Sequence, residues 1–241
     1  MLLEIRSLVK QYRGNMFNRE GFKAVNDINF DMRHGEILGL MGHSGCGKTT
    51  TAKMVASLIK PTSGEILFNG KNTLKCGYRE RMQRRRDLQI IFQNPRLALN
   101  PNYNVRQQLA EPLKLFSLAK TKREFDEFIM RSLDSVGLSS ELLERYPNEI
   151  SGGQAQRVAI ARALSLSPRL LIADEATSML DLSVQAQIIE LFKEIHKKYG
   201  VSIMMISHDR SVVEHFCDRV IVMEKGKIAN DYSSKQLRYS A

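Results

Sequence analysis

A glycine-rich stretch, GHSGCGKT at residues 42–49, has the residue types that are needed to bind phosphate. It satisfies the phosphate-loop pattern, in which glycines let backbone N–H groups close around phosphate oxygens. The apolar run EILGLMG (36–42) leads directly into it, and a helix is predicted over residues 48–58. In this strand–loop–helix setting we expect nucleotide binding rather than an ordinary glycine turn. Lys48 is expected to reach the β- and γ-phosphates, and Thr49 to bind Mg²⁺.

Two adjacent carboxylates end a second apolar run, RLLIADE (169–175). Asp174, at the strand end, is suited to holding the hydration shell of magnesium. Glu175 is suited to orienting or deprotonating a water molecule that attacks the γ-phosphate. Taken alone, such a pair is more often a cap or a solvated turn, but together with the phosphate loop it predicts nucleotide hydrolysis.

A second anion-binding helix start is predicted at Ser151-Gly152-Gly153-Gln154, in the segment ISGGQAQRVAIARAL (150–164). Free N–H groups at the start of a helix and the helix dipole both favour negative charge there. Taken alone, the four residues also fit a serine N-cap followed by glycines that allow close packing. One small chain thus carries two candidate phosphate sites that are far apart in sequence.

The elements that must position these residues alternate between strand and helix, which predicts an α/β protein. An amphipathic helix is predicted at 183–200 and ends at a glycine. Strands buried on both faces are predicted at 87–93, 169–175 and 201–208.

The segment between Gln93 and Pro168 has helical periodicity and no strand pattern. It is therefore expected to be an all-helical subdomain inserted into an α/β core. We predict a single domain, 1–241, with its core at 1–93 and 168–241 and its helical subdomain at 94–167.

The composition is that of a globular protein with a real core, because 43% of the 241 residues are hydrophobic. No apolar run approaches the roughly 20 residues that span a bilayer, and the N-terminus lacks a signal-peptide pattern. Cys46, Cys76 and Cys217 form no CxxC pair, so a reduced, cytosolic protein without a zinc site is expected. The net charge of +10 is densest at residues 78–87, YRERMQRRRD, where a solvated basic face is favoured over a nucleic-acid or membrane surface.

The four residues SGGQ, followed by QRVAIARAL and then RLLIADEATSMLD, closely resemble the ATP-binding cassette (ABC) ATPase family. The resemblance runs from about Leu3 to Ile228, and Ile150, where leucine is usual, is a small departure. It implies a P-loop NTPase core of RecA-like fold, an antiparallel β subdomain and the inserted helical subdomain. It also implies ATP and Mg²⁺ as cofactors and ATP hydrolysis as the activity.

The resemblance also implies roles for residues outside the phosphate loop. Tyr12 occupies the place of the aromatic residue that stacks on adenine, and Gln93 that of the glutamine that touches Mg²⁺ and the attacking water. His208 matches the histidine that contacts the γ-phosphate. Ser178-Met179-Leu180-Asp181 resembles the loop that contacts the opposite ATP site.

The complete set of expected site residues falls into three groups. The nucleotide-binding residues are Tyr12, Gly42, His43, Ser44, Gly45, Cys46, Gly47, Lys48, Thr49, Thr50, Ser151, Gly152, Gly153, Gln154 and Asp181. The catalytic residues are Glu175, His208 and Gln93, and the Mg²⁺ ligands are Thr49, Gln93 and Asp174.

Two candidate phosphate sites in one chain are explained by the way this family dimerises. Two subunits pair head to tail, and each nucleotide is held by the phosphate loop of one subunit and the SGGQ helix of the other. ATP contacts both surfaces only when they close, so it favours the closed dimer. Loss of the γ-phosphate removes those contacts and reopens the dimer.

Two stretches resemble the peptide/nickel branch of bacterial importer ATPases: IIFQNPRLALNPNYNVRQQLAEPL (90–113) and the loop GNMFNREGFKAV (14–25). The resemblance implies a peripheral protein on the cytoplasmic face of the cell membrane. Its implied partners are a different ATPase subunit, two membrane-spanning permease subunits that dock after Gln93, and an extracytoplasmic substrate-binding protein, with no nucleic acid. The lack of a cysteine beyond Cys217 favours nickel or cobalt as cargo, free or chelated by a metallophore, with di- and oligopeptides close behind.

Two alternative functions are less favoured by the sequence than transport is. A soluble ABC protein acting on DNA or ribosomes is disfavoured, because the sequence has no long coiled-coil insertion and only one cassette. A degenerate subunit that binds ATP without turnover is disfavoured by the presence of Lys48, Glu175, His208 and an intact SGGQ.

Overall fold

The computed structural model describes residues 1–13 and 21–233. The chain forms two compact units, the first made of Met1–Arg85 with Ser202–Ala241 and the second of Arg86–Val201. These bounds enclose more than the predicted helical subdomain, whose own limits at 94 and 167 stay a prediction. Within the described residues, no helix has the length and apolar character needed to cross a bilayer.

The strands are β1 (Leu3–Tyr12), β2 (Phe22–Met32), β3 (Ile37–Met41), β4 (Ser63–Phe68), β5 (Lys71–Asn72), β6 (Leu88–Ile91), β7 (Leu170–Asp174), β8 (Ser202–Ser207), β9 (Arg219–Glu224) and β10 (Lys227–Ser233). The helices are α1 (Lys48–Val55), α2 (Tyr78–Asp87), α3 (Pro95–Ala98), α4 (Val105–Leu115), α5 (Lys122–Asp134), α6 (Gly152–Leu164), α7 (Leu182–Tyr199) and α8 (Arg210–Phe216). A 3₁₀ turn covers Ser140–Leu142.

The first unit contains an antiparallel sheet with the strand order β2-β1-β4-β5. Leu3, Ile5 and Leu8 of β1 are buried, in keeping with the apolar residues that recur along MLLEIRSLVK. This sheet is the antiparallel subdomain that the family resemblance implies. The loop at 14–20, part of the stretch that resembles the importer branch, lies outside the described residues.

The first unit also contains parallel strands that lead into the phosphate loop. Strand β3 pairs in parallel with both β8 and β9, and β9 pairs antiparallel with β10. All but the last residue of β3, and every residue of β8, are buried, as expected for strands that are covered on both faces. The helix that follows, α1, ends at Val55 rather than at the predicted Leu58, because Ser57 adopts a left-handed φ of 58°.

The second unit has a parallel pair of strands, β6 and β7, with helices between them in sequence. Residues 94–167 are all described, and they form helices and no strand. Several of these helices begin with a capping box, a reciprocal pair of hydrogen bonds between the N-cap residue and the third helical residue. The pairs are Asn104 with Gln107, Thr121 with Glu124, and Ser151 with Gln154.

Candidate functional site

The phosphate loop between β3 and α1 requires glycine at two positions. Gly42 has a φ of 149°, and a Cβ there would lie 2.3 Å from the carbonyl oxygen of Met223. Gly47 has a φ of 112°, and a Cβ there would lie 2.4 Å from the carbonyl oxygen of Ala24. No other residue type fits either conformation without moving backbone, so the loop keeps its main chain uncovered where a phosphate would approach.

Lys48 directs its ammonium group into this loop. Nζ donates to the carbonyl oxygens of Gly42 at 2.7 Å and His43 at 3.0 Å, and the residue is only 4% exposed. The N-cap Gly47 offers no side chain, and the first turn of α1 has no acidic residue. The positive end of the helix dipole is therefore not countered by a local carboxylate, which suits an anionic ligand.

The other expected residues of the loop differ in exposure. His43, Ser44 and Gly45 are exposed, whereas Cys46 is buried. Thr49 and Thr50 are half-buried in the first turn of α1. The hydroxyl group of a threonine can bind Mg²⁺ or a phosphate oxygen.

His208 lies at the same sheet edge as the phosphate loop. Met41, the last residue of β3, pairs in parallel with Ser207, the last residue of β8, so Gly42 and His208 each follow directly from neighbouring strand ends. Ser207 Oγ accepts a hydrogen bond from Asp209 N at 3.0 Å, and Asp209 caps α8. His208 is thus exposed on a short connection that is fixed on both sides.

Tyr12 is the last residue of β1, in the antiparallel sheet, and it is 44% exposed. The Nζ atom of Lys10 lies 5.1 Å from the centre of its ring. The ring therefore presents an accessible aromatic surface beside a cation, which is a suitable environment for stacking on a base.

In the second unit, Gln93 and the two carboxylates also follow neighbouring strand ends. Ile91 of β6 pairs in parallel with Ala173 of β7, so the strand ends leading to Gln93 and to Asp174 lie at one sheet edge. Asp174 is 4% exposed, and Glu175 adopts a left-handed φ of 50°. Such a backbone costs a non-glycine residue about 1–2 kcal/mol, and functional sites are where such strain is often found.

A chain of hydrogen bonds joins Gln93 to Glu175. Gln93 Nε2 donates to Ser178 Oγ at 3.0 Å, and Ser178 Oγ donates to the carbonyl oxygen of Glu175 at 3.1 Å. The backbone N–H of Ser178 donates to the same carbonyl oxygen at 3.1 Å. The structure therefore brings Gln93 together with Glu175 and Ser178, which lie in a distant segment of the sequence.

The SGGQ segment forms the capped start of α6. Ser151 Oγ accepts from Gln154 N at 3.2 Å, and Gln154 Oε1 accepts from Ser151 N at 2.9 Å. A Cβ on Gly153 would lie 2.8 Å from Val184 Cγ1, whereas one on Gly152 would meet Leu180 at an ordinary 3.7 Å. The structural alternative from the sequence, a serine cap with glycines for close packing, thus applies to this segment as well.

Asp181 has a local role that sequence reasoning missed. Its Oδ1 accepts from Val184 N at 2.9 Å, so it is the N-cap of α7. The signal was present, since an aspartate directly before an amphipathic helix is typical of an N-cap. Asp181 therefore fixes the start of the helix that packs against Gly153.

The donor chemistry of the candidate residues suits both cofactors. Glycine main chain, an ammonium group and a helix start favour the phosphates of ATP, and the carboxylate of Asp174 and the hydroxyl of Thr49 supply oxygen atoms, which Mg²⁺ prefers. Within the described part of the chain, there is no cluster of three His, Cys, Asp or Glu side chains that could hold a metal ion by itself. Magnesium at nucleotide sites usually takes one or two protein ligands together with phosphate oxygens and water.

Comparison with known proteins identifies the family. Residues 25–178 match the family model described as ABC transporter. The chain is 45% identical over 228 residues to the oligopeptide transport ATP-binding protein OppF of Bacillus subtilis (strain 168), which covers 94% of this chain and 74% of the relative. The chain belongs to the ABC transporter family. It is an ATP-binding cassette, and it binds and hydrolyses ATP.

A further relative and two solved structures agree with this assignment. OppF of Haemophilus influenzae is 41% identical over 232 residues, covering 94% of the cassette and 70% of the relative. The ATP-binding cassette MJ0796, solved as a dimer in a post-hydrolysis state with ADP and Pi, superposes with a TM-score of 0.85 at 29% identity and covers 96% of this chain and 98% of its own. CbiO1 of Clostridium perfringens, part of the ABC transporter complex cbiONQ, gives 0.82 at 28% identity and covers 98% and 90%. The predicted α/β P-loop fold and the predicted family are confirmed.

Proposed function

We propose that this cassette is the ATP-hydrolysing subunit of a bacterial importer of short peptides, acting from the cytoplasmic face of the membrane. The observation that carries the proposal is the presence, in one chain, of a phosphate loop at the start of α1 and a capped SGGQ helix at the start of α6. The two relatives that match 94% of this chain are named as oligopeptide transport ATP-binding proteins, which also supports a role in peptide transport. The soluble alternative, action on DNA or ribosomes, has no support among these relatives.

The proposed roles toward ATP follow from the positions of the side chains. Lys48 and the glycine main chain of residues 42–47 hold the phosphates, and Tyr12 stacks on the adenine. Thr49, Asp174 and Gln93 hold Mg²⁺, which when bound neutralises charge on the phosphates. Glu175 orients and deprotonates the attacking water, and His208 contacts the γ-phosphate.

Closure of a head-to-tail dimer is the proposed use of the SGGQ helix. The residues Ser151 to Gln154 of one subunit contact the nucleotide that the phosphate loop of the other subunit holds. ATP then stabilises the closed pair through its greater affinity for that pair, and hydrolysis removes the contact. The cassette MJ0796, to which this chain is similar, was solved as a dimer.

The proposed partners are a different ATPase subunit, two membrane-spanning permease subunits and an extracytoplasmic substrate-binding protein. We place the permease on the segment that follows Gln93, where Leu97 is 85% exposed. In this proposal the permease covers the exposed side chain of Leu97. Helix α2 has no buried residue, and its basic side chains are interpreted as a solvated face.

Short peptides are the proposed cargo, with nickel or cobalt as the alternative that the sequence favoured. The relatives named above carry oligopeptide transport names. Cargo recognition belongs to the proposed permease and binding protein, so the cassette is expected to be insensitive to cargo on its own.

The test is reconstitution of the cassette with its permease subunits in vesicles, followed by measurement of ATP turnover. We expect turnover to rise several-fold when a peptide-loaded binding protein is present, and not with Ni²⁺ or Co²⁺ under the same conditions. The Glu175→Gln variant is the control for turnover by a contaminating ATPase. Stable association of the chain with ribosomes or DNA in place of the permease would contradict the proposal, and stimulation by a metal alone would replace the proposed cargo.

A further inference from the structure

The segment Gln93–Ala98 is attached to two functional elements of the second unit at once. At its start, Gln93 reaches the carbonyl of Glu175 through Ser178, as described above. Three residues later, Arg96 Nη2 donates to the carbonyl oxygen of Ile150 at 2.9 Å. Ile150 directly precedes Ser151, the N-cap of the SGGQ helix, so one short segment is bound both to the loop after β7 and to the start of α6.

The far end of α6 is tied to the same segment. Arg162 lies in the last turn of α6, and its Nη2 donates to the carbonyl oxygen of Ala98 at 2.9 Å. Burial lowers the pKa of Arg162, and its hydrogen-bond partners include the amide oxygen of Gln108 at 3.5 Å. Arg96 thus connects α3 to the start of α6, and Arg162 connects the end of α6 back to α3. Both connections are made although α3 is only one turn long.

Gln108 extends this attachment into the loop after α3. The residue is fully buried, and its Nε2 donates to the carbonyl oxygens of Asn100 at 2.6 Å and Tyr103 at 3.1 Å. Its Oε1 accepts from the backbone N–H of Asn100 at 3.3 Å. The side chain of Gln108 therefore holds the loop between α3 and α4 through three hydrogen bonds.

Helix α3 is fixed at its start by an N-cap and a buried proline. Asn94 caps it by accepting from Arg96 N at 3.1 Å and Leu97 N at 3.3 Å, and Pro95 stands at its first position and is buried. The exposed residue Leu97 lies between the two anchored positions, Arg96 and Ala98. A displacement of Leu97 would therefore strain the hydrogen bonds that Arg96 and Ala98 make with Ile150 and Arg162.

We infer that Arg96 and Arg162 are positioning residues that transmit the docking of a partner on Leu97 to the Ser151–Gln154 helix start. The inference rests on the proposed function, because the partner is the proposed permease. The inference adds a physical connection to the proposed function. Hydrogen bonds from two arginines to main-chain carbonyl groups make α3 and α6 move together. The link from Gln93 to Glu175 couples the same movement to the hydrolytic loop.

Arg96→Met tests the connection between α3 and the start of α6. It keeps the aliphatic part of the side chain and removes the hydrogen bond to Ile150. Arg123→Met is the matched control, because Arg123 is an exposed arginine whose hydrogen bond goes to Glu127 in its own helix. In the isolated chain we expect Arg96→Met to raise amide exchange at residues 151–155 about threefold to tenfold, and Arg123→Met to leave it unchanged. Unaltered exchange in Arg96→Met would overturn the inference.

Transmission is tested in the vesicle-reconstituted complex with a peptide-loaded binding protein. In Arg96→Met we expect the thermal midpoint to stay near that of the wild type, while the ratio of stimulated to basal turnover falls about fivefold or more. Arg96→Lys is expected to restore part of the ratio. An unchanged ratio, or an equal loss of basal and stimulated turnover, counts against transmission.

The two failures are distinguishable. If the wild-type chain does not join the permease, the proposed function fails and the transmission fails with it. The exchange measurement on the isolated chain still decides whether Arg96 fixes the start of α6. If the wild-type complex is stimulated and Arg96→Met behaves like Arg123→Met in both measurements, the inference alone is wrong.

Discussion

Gly153 in α6 lies directly against Val184 in α7, and a Cβ added at position 153 would come within 2.8 Å of Val184 Cγ1. Real Cβ atoms essentially never approach another atom so closely. Valine in a helix has one strongly preferred rotamer, so it cannot easily turn away. The second glycine of SGGQ is therefore required by packing within the subunit, independently of any nucleotide.

Gly153→Ala is expected to destabilise the isolated chain by about 1–3 kcal/mol, because the added methyl group forces α6 and α7 apart. The measurement is urea unfolding without nucleotide. Gly152→Ala is the matched control, since its Cβ would meet Leu180 at 3.7 Å, and it is expected to be neutral or slightly stabilising. The double variant Gly153→Ala/Val184→Ala should recover part of the loss, and equal stability of the two single variants would contradict the packing argument.

Ser178→Ala is expected to lower the turnover number about tenfold while leaving the affinity for ATP within about twofold. The hydroxyl of Ser178 accepts from Gln93 and donates to the carbonyl of Glu175, so its loss breaks this connection between the two residues. Single-turnover kinetics and nucleotide titration separate the two quantities. Ser135→Ala removes a hydroxyl that bonds a carbonyl in another part of the second unit, and it should leave turnover unchanged.

The strands and the phosphate loop could be predicted from sequence because they depend on local patterns. Continuous apolar runs gave β3, β7 and β8, and a phosphate loop between strand and helix has a fixed spacing of glycine, lysine and threonine. The predicted end of α1 was wrong by a turn, because Ser57 takes a left-handed φ although a glycine follows only at position 64.

The contacts that tie the site together could not be predicted from sequence. Arg96 and Arg162 donate hydrogen bonds to main-chain carbonyl oxygens. Since every residue has such an oxygen, the sequence does not indicate which residue accepts the bond. The approach of Gly153 to Val184 depends on how two helices pack, although each residue stood in a recognised pattern. The cap formed by Asp181 follows a local pattern that can be predicted, an aspartate directly before an amphipathic helix.

Glu175→Gln is expected to abolish hydrolysis, with a loss of about 10²-fold or more, while ATP binding stays intact. The amide keeps the shape of the side chain and cannot accept the proton of the attacking water. The trapped closed dimer should be visible by size-exclusion chromatography with Mg²⁺ and ATP. Lys48→Ala should instead weaken nucleotide binding itself, because it removes the ammonium group that lies inside the phosphate loop.

A second variant, Glu175→Gly, tests both the catalytic role of Glu175 and the strain in its backbone. Glycine adopts a φ of 50° without the steric cost that glutamate has, so Glu175→Gly is expected to be inactive and at least as stable as the wild type. Turnover near the wild-type level in either variant would remove Glu175 from the mechanism. A Glu175→Gly chain that is clearly less stable would show that the interactions of the glutamate side chain outweigh the cost of the left-handed backbone.

Stability above pH 8 is expected to depend on Cys217. Burial raises the pKa of this thiol, which is 4% exposed and packs behind β3, where a Cβ on Gly39 would lie 3.0 Å from its Sγ. The folded chain therefore keeps the thiol proton at a pH where the unfolded chain, with an ordinary thiol pKa of about 8.5, has lost it. This stabilisation is fully present below that pH, and it falls as the pH rises, by at most about 1.4 kcal/mol per pH unit.

Between pH 7.5 and 9.5 the free energy of unfolding of the wild type should thus fall by about 1 kcal/mol more than that of Cys217→Ala. The Cys217→Ala chain will be less stable at every pH because of the cavity it leaves, so the comparison concerns the slopes and not the absolute values. If urea unfolding gives parallel pH profiles for the wild type and Cys217→Ala, the thiol does not contribute to the pH dependence.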